Sequence, residues 1–440
     1  MRRTREVFTA AGLLICVLFT LAVCRGQQPT TLSKNEQAQV TGMLRDAYSD
    51  VKKYYYDPTL QGLDWDARYR QYSARIGTAH NMGDGFRIVA AFLSGLKDSH
   101  TYFAPPMRTT LIDPGYRFAL IGDACFITHV RPKTDAEEKL RVGDEVVKLN
   151  GFNVNRSDYH DVRYFFNILA PPMAEQLDLQ SPTGEQRQAV VNALVKPGKA
   201  VMDLTQGADY YDLVRRSEDE DHVTRSQIIE RGDVAIWRLP QFNLDTSDVE
   251  RFIGISRKHK TLILDLRGNS GGAVDTLKSM VGFLFDHDVK IGDRVGKKDK
   301  KPMLAKHFDD AFSGKLIVLV DAGSASASEL LARVVQLEHR GTVIGDKTAG
   351  AVMEAKYYRE SQGVDTRIFY GFSVTDANLI MSDGQSLEKV GVVPDELLLP
   401  TGADLAAGRD PVLAHAAELG GVKLDPAEAG KLFPFEWLPL

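Results

Sequence analysis

At 440 residues the chain is too long for one small core, and its length predicts two or three domains. A composition of 43% hydrophobic and 26% charged residues is that of a soluble globular protein, with no repeat or low-complexity tract. The net charge of −5 offers no basic excess with which to bind nucleic acid. The short runs 215-RRSEDEDH-222 and 297-KKDKK-301 read as solvated loops.

The N-terminus has the layout of a secretory signal. Arg2, Arg3 and Arg5 precede an apolar run from Val7 to Val23, and the polar stretch 25-RGQQPTT-31 follows. Cleavage after Gly26 is expected, with an uncleaved anchor as the alternative; the exported chain would be periplasmic or secreted. Cys16 and Cys24 lie in this segment, which leaves Cys125 alone in the mature chain, without an internal disulfide. Between Ala124 and Phe126, Cys125 reads as a buried strand residue.

Residues 35 to 104 read as helical, from the spacing of Leu44, Ala47, Tyr48 and Val51 and the run 86-FRIVAAFLSGL-96. The prolines in 104-APPM-107 then mark a boundary. From about 114 to 200 the pattern is one of short strands, with 125-CFITHV-130 as one strand. The stretch 142-VGDEVVKLNGFNV-154 reads as turn, strand, Asn-Gly turn and strand. This ordered set, 127-ITHVRPKTDAEEKLRVGDEVVKLNG-151, resembles a PDZ domain, and that resemblance implies capture of a peptide tail as an added strand. From about 205 onwards, strands at 236–239, 261–266, 316–321 and 342–346 alternate with helices near 246–258, 273–286 and 325–338, which predicts α/β layering.

Two stretches carry chemistry. In 323-GSASASE-329 a serine stands where a buried strand turns into a helix. There free amides and the helix dipole favour negative charge, as an acyl-transfer nucleophile needs. The competing reading is a plain N-cap, because serine is a preferred cap. In 262-LILDLRGNSGG-272 a strand ends in an Arg, an Asn and paired glycines, whose amides could approach a ligand closely. Two strand ends followed by such loops can converge on one crevice.

Together, 264-LDLRGNSGG-272, 323-GSASASE-329, 345-GDKTAG-350 and 388-EKVGVVPD-395 resemble the C-terminal processing (tail-specific) and tricorn-core serine peptidases. The resemblance implies an α/β fold: a crotonase-like (ClpP/crotonase) core at 201–440, an N-terminal helical domain at 27–105 and an inserted PDZ-like β domain at 106–200, after a signal peptide at 1–26. It implies Ser326 as nucleophile and the Gly271, Gly272 and Ala327 amides as oxyanion hole. The Ser-Lys branch places its lysine directly after T-x-G, but here 348-TAG-350 is followed by Ala351. Lys347 is the nearest lysine, and as an ordinary lysine it would be protonated at neutral pH. The segment 98-DSHTYF-103 instead resembles the Ser-His branch, which implies His100 as base, with Ser99 and Glu388 orienting it. The resulting expectation is an exported serine endopeptidase acting on protein or peptide substrates, without metal or other cofactor. An inactive peptidase-fold protein that binds peptides or small ligands is the alternative.

Overall fold

The computed structural model of the chain describes residues 31–108, 110–197, 225–363 and 367–438; the expected signal segment and the 215–222 run lie outside them. Among the described residues no helix is long and apolar enough to cross a membrane.

The strands Val234–Arg238, Thr261–Asp265, Lys315–Val320 and Gly341–Gly345 pair in parallel, in that order. Gln227–Arg231 adds antiparallel at one edge and Glu396–Leu397 parallel at the other. Unbroken apolar runs such as 261-TLILD-265 suit strands covered on both faces. On one face Trp237, Leu264 and Val318 pack against the helices Thr246–Ser256, Val274–Leu284 and Ala327–Leu337. On the other, Ile236, Ile263 and Ile317 meet Leu413 and Ala416 of the helix Pro411–Leu419. All three crossover helices lie within a few residues of the expected positions. The loops at 266–273, 321–326 and 346–352 therefore leave the same, C-terminal edge of the sheet, where α/β sheets form ligand crevices.

A second, antiparallel sheet was not expected. Its centre is the long strand Ile368–Met381, paired along one side with Met353–Gln362. On the other side it pairs with Val289–Gly296 and with the short strand Tyr102–Ala104. The helical reading of 35 to 104 thus needs correction at its end. The helices Lys34–Tyr54, Trp65–Arg75 and Met82–Leu93 form, but Lys97 takes a left-handed φ of 57° that stops the helical path before Ser99 and His100. The helices bury Met43, Leu44, Phe92 and Leu93 against Phe103, Tyr370 and Phe372 of this sheet.

Residues 116 to 192 form an antiparallel sheet from Tyr116–Ile121, Ala124–Val130, Glu145–Leu149, Ala174–Gln180 and Gln186–Asn192. Gly143 sits at φ 93°, and the buried Asp144 after it is ion-paired with Arg187. Asn150 and Gly151 both have positive φ, 49° and 83°, as an Asn-Gly hairpin turn requires. Cys125 is free and buried, and burial pushes its thiol up to about 12, so it is no reactive thiolate.

Candidate active site

The loop after Val320 separates the roles of its three serines. Buried Ser324 donates its hydroxyl to the Leu266 carbonyl at 2.8 Å, and buried Ser328 donates to the Asn269 carbonyl at 2.9 Å. Both serines are cross-links to the glycine turn. Ser326, between them, makes no side-chain cap bond to its helix. The Glu329 N–H donates instead to the Ser326 carbonyl, at 2.9 Å. Ser326 is nonetheless the N-cap residue of the helix Ala327–Leu337, with Glu329 as its capping-box partner, so the cap reading holds for its backbone while its hydroxyl is left out of these bonds. Its backbone has φ 55° and ψ −116°, a conformation an L-residue adopts only at a cost of order ~1–3 kcal/mol and under strong local restraint.

Glu329 supplies much of that restraint. Its carboxylate is fully buried and accepts from the Ser326 N–H at 3.0 Å and the Thr348 hydroxyl at 2.6 Å. It also accepts from the Gly350 and Ala351 N–H groups, at 2.8 and 2.9 Å. Burial raises its pKa, while these donors oppose the rise. The Ser326 N–H is shared with the Ala351 carbonyl, at 2.9 Å. Sequence reasoning assigned Glu329 no role, although Ser-x-x-Glu is the spacing of a capping box.

The glycine turn lies directly against this serine. A Cβ on Gly271, at φ 97°, would fall 2.6 Å from the Ser326 Cβ. A Cβ on Gly272 would fall 2.3 Å from the Phe242 carbonyl oxygen. Arg267 fixes the base of the turn through paired bonds to Asp265 and Asp410, all between 2.8 and 2.9 Å. One expectation is corrected here. The Gly271 N–H already donates to the Asn269 side chain at 2.8 Å, which leaves it no free proton for an oxyanion. The Gly272 and Ala327 N–H groups donate to no partner among the described residues.

Ser99, His100 and Glu388 form one hydrogen-bonded unit across a sequence gap of 289 residues. The Ser99 N–H and hydroxyl donate to the two Glu388 oxygens, each at 2.8 Å, and the hydroxyl lies 2.7 Å from His100 Nδ1. A hydroxyl has one proton. With that proton given to the carboxylate, Nδ1 must be the donor, so the neutral ring keeps its Nε2 lone pair free to accept a proton. Burial lowers the His100 pKa, with Asp98 opposing, and burial raises that of Glu388. Asp98 also pins the loop, accepting from the His100 and Thr101 N–H groups and from Thr375.

The two units meet at consecutive residues. The Ala351 carbonyl holds the Ser326 amide, and the Val352 N–H donates to Glu388 at 2.9 Å. His100 and Ser326 share no hydrogen bond in this structure. Lys347 is half-buried; its carbonyl accepts from Arg156, and it shares no hydrogen bond with Ser326.

Comparison with known proteins places the chain among peptidases. Residues 233–398 match the profile of Peptidase family S41, and residues 36–93 match that of the Tricorn protease C1 domain. The C-terminal processing peptidase, chloroplastic, of Tetradesmus obliquus is 24% identical over 380 residues, covering 81% of this chain and 77% of that protein. A putative tricorn protease homolog 2 of Streptomyces coelicolor is 23% identical over 400 residues, covering 85% of this chain and 32% of that protein. Mature CPAF shares the fold, with a TM-score of 0.64 at 15% identity over 84% of this chain and 94% of that one. The strand-end motifs all lie within the segment that matches Peptidase family S41, and the relatives are named C-terminal processing and tail-specific proteases: the chain is similar to the serine-type peptidases of that family.

Proposed function

We propose that this chain is an exported endopeptidase that cuts protein or peptide substrates with Ser326 as nucleophile and His100 as general base. The observation that carries the reading is the hydrogen-bonded run His100–Ser99–Glu388–Val352, which adjoins the Ala351 carbonyl that holds Ser326. His100 Nε2 takes the serine proton as the hydroxyl oxygen attacks the scissile carbonyl, and returns it to the leaving amine. Ser99 and Glu388 hold the ring in the required tautomer and stabilise the imidazolium. The Gly272 and Ala327 amides receive the developing oxyanion, and water then hydrolyses the acyl-enzyme. The core is crotonase-like on this reading. The sheet at residues 116–192 is a PDZ-like module that selects C-terminal tails or gates the site. Export rests on the N-terminal signal layout. The test is cleavage of an unfolded protein by the purified chain, by Ser326→Ala and by His100→Ala; equal activity in all three would overturn the proposal.

The alternative, an inactive protein that binds peptides on this scaffold, draws on Ala351 standing where the Ser-Lys branch carries its base. Capture of a peptide without cleavage at any pH would favour it.

A further inference from the structure

The sheet centred on Ile368–Met381 has two unlike faces. Phe103, Tyr370, Phe372 and Val374 are buried under the N-terminal helices. The opposite face carries Tyr102, Tyr357 and Phe369, which are 44%, 50% and 66% exposed. They are one surface by register: Tyr102 and Tyr357 both stand opposite Ser373 from its two sides, and Phe369 lies an even number of residues from Ser373 on the same strand. Gly371 explains part of the arrangement. A Cβ there would lie 2.3 Å from the Tyr357 hydroxyl, so glycine lets that ring lie down across the strand. Tyr102 also meets the Tyr164 ring of the β unit edge-on, at 6.4 Å. Exposed aromatic surface of this kind on a soluble protein marks a contact site.

The same surface has an open edge. Among the described residues Met353–Gln362 pairs only with Ile368–Met381, so backbone N–H and C=O groups along its other side are unpaired. Both features run straight out of the candidate active site. Tyr102 follows His100 by two residues, and Met353 follows Ala351, the holder of Ser326, by two. Resting on the peptidase reading above, we infer that this edge and face seat an extended stretch of the polypeptide substrate, with aromatic or large aliphatic side chains, several residues from the bond that is cut. The substrate adds as a strand beside Met353–Gln362, and every second side chain falls beside Tyr357.

The test uses the full chain and a synthetic peptide spanning a cleavage site mapped in an unfolded protein, with a second peptide in which the aromatic and aliphatic residues away from that site are serine. The double variant Tyr357→Ala/Phe369→Ala is expected to raise KM for the first peptide at least about tenfold, with kcat and fluorophosphonate labelling unchanged. Tyr357→Phe should keep the original KM, and the serine peptide should be equally poor for both proteins. An unchanged KM in the double variant would overturn the inference. Should the double variant lose labelling, Phe369→Ala alone replaces it, with the same criterion at about threefold. If the parent chain neither labels nor cuts, the peptidase reading fails by itself. Fluorescence anisotropy of the same peptides then decides the surface: weaker binding by the double variant supports it, and equal binding overturns it.

Discussion

Ser99 carries one hydroxyl proton, and where that proton goes sets the tautomer of His100. Because Glu388 receives it, the ring presents Nε2 as an acceptor. Glu388→Gln removes the charge and offers a competing donor, so kcat should fall about a hundredfold or more while KM holds. His100→Ala should nearly abolish turnover while Lys347→Ala leaves it largely intact; the reverse result in folded protein would return the base to lysine. Burial lowers the His100 pKa, so the neutral, active ring persists to lower pH than a free imidazole would. Activity should therefore rise with pH through a midpoint below ~6.5, provided Glu388 is ionised there. The sequence motifs pointed to Ser99, His100 and Glu388, as they did to Ser326. The dependence of the tautomer on Ser99 could not be read from them, because it rests on contacts between residues 289 positions apart.

Among the elements, the glycine turn and the serine loop act as one piece. Ser324, Ser328 and Asn269 sew them together, and Glu329 ties both to the 348–351 loop. Gly271→Ala places a methyl against Ser326 at a φ that favours glycine. It should abolish fluorophosphonate labelling while circular dichroism still shows a folded chain; full labelling would mean the turn does not position the serine. The parallel strands and their helices were legible because each is a long apolar run or a clear helical period. The hairpin Met353–Gln362/Ile368–Met381 was not. Its inner face is buried only by helices distant in sequence, and the polar, alternating 354-EAKYYRES-361 gives no strong run of its own. The short strand Tyr102–Ala104 was hidden for the same reason, since it exists only by pairing with residues 371–373.

At the scale of the whole molecule, contacts with Asp346 and with the segment 433–438 are among those that fix the β unit to the core. Arg156 makes paired 2.9 Å bonds to Asp346, which the Gly122 N–H also reaches, just before the loop that holds Ser326. On the other side the segment 433–438 crosses from core to β unit. Arg238 holds the Phe433 carbonyl, Phe435 stacks on His129 at 3.8 Å, and Trp437 lies against Arg117 and Arg131. Trp437→Ala should cost about 1–2 kcal/mol, read as a lower Tm, without changing the pH profile of the site. These clasps join residues hundreds of positions apart, which composition and periodicity do not record. The central claim is tested most directly by fluorophosphonate labelling of the purified chain from pH 5 to 9, with Ser326→Ala as control. Ser326-dependent labelling that rises through a midpoint below ~6.5 and is lost in His100→Ala is expected. Labelling that appears only at alkaline pH, or survives in His100→Ala, would contradict it.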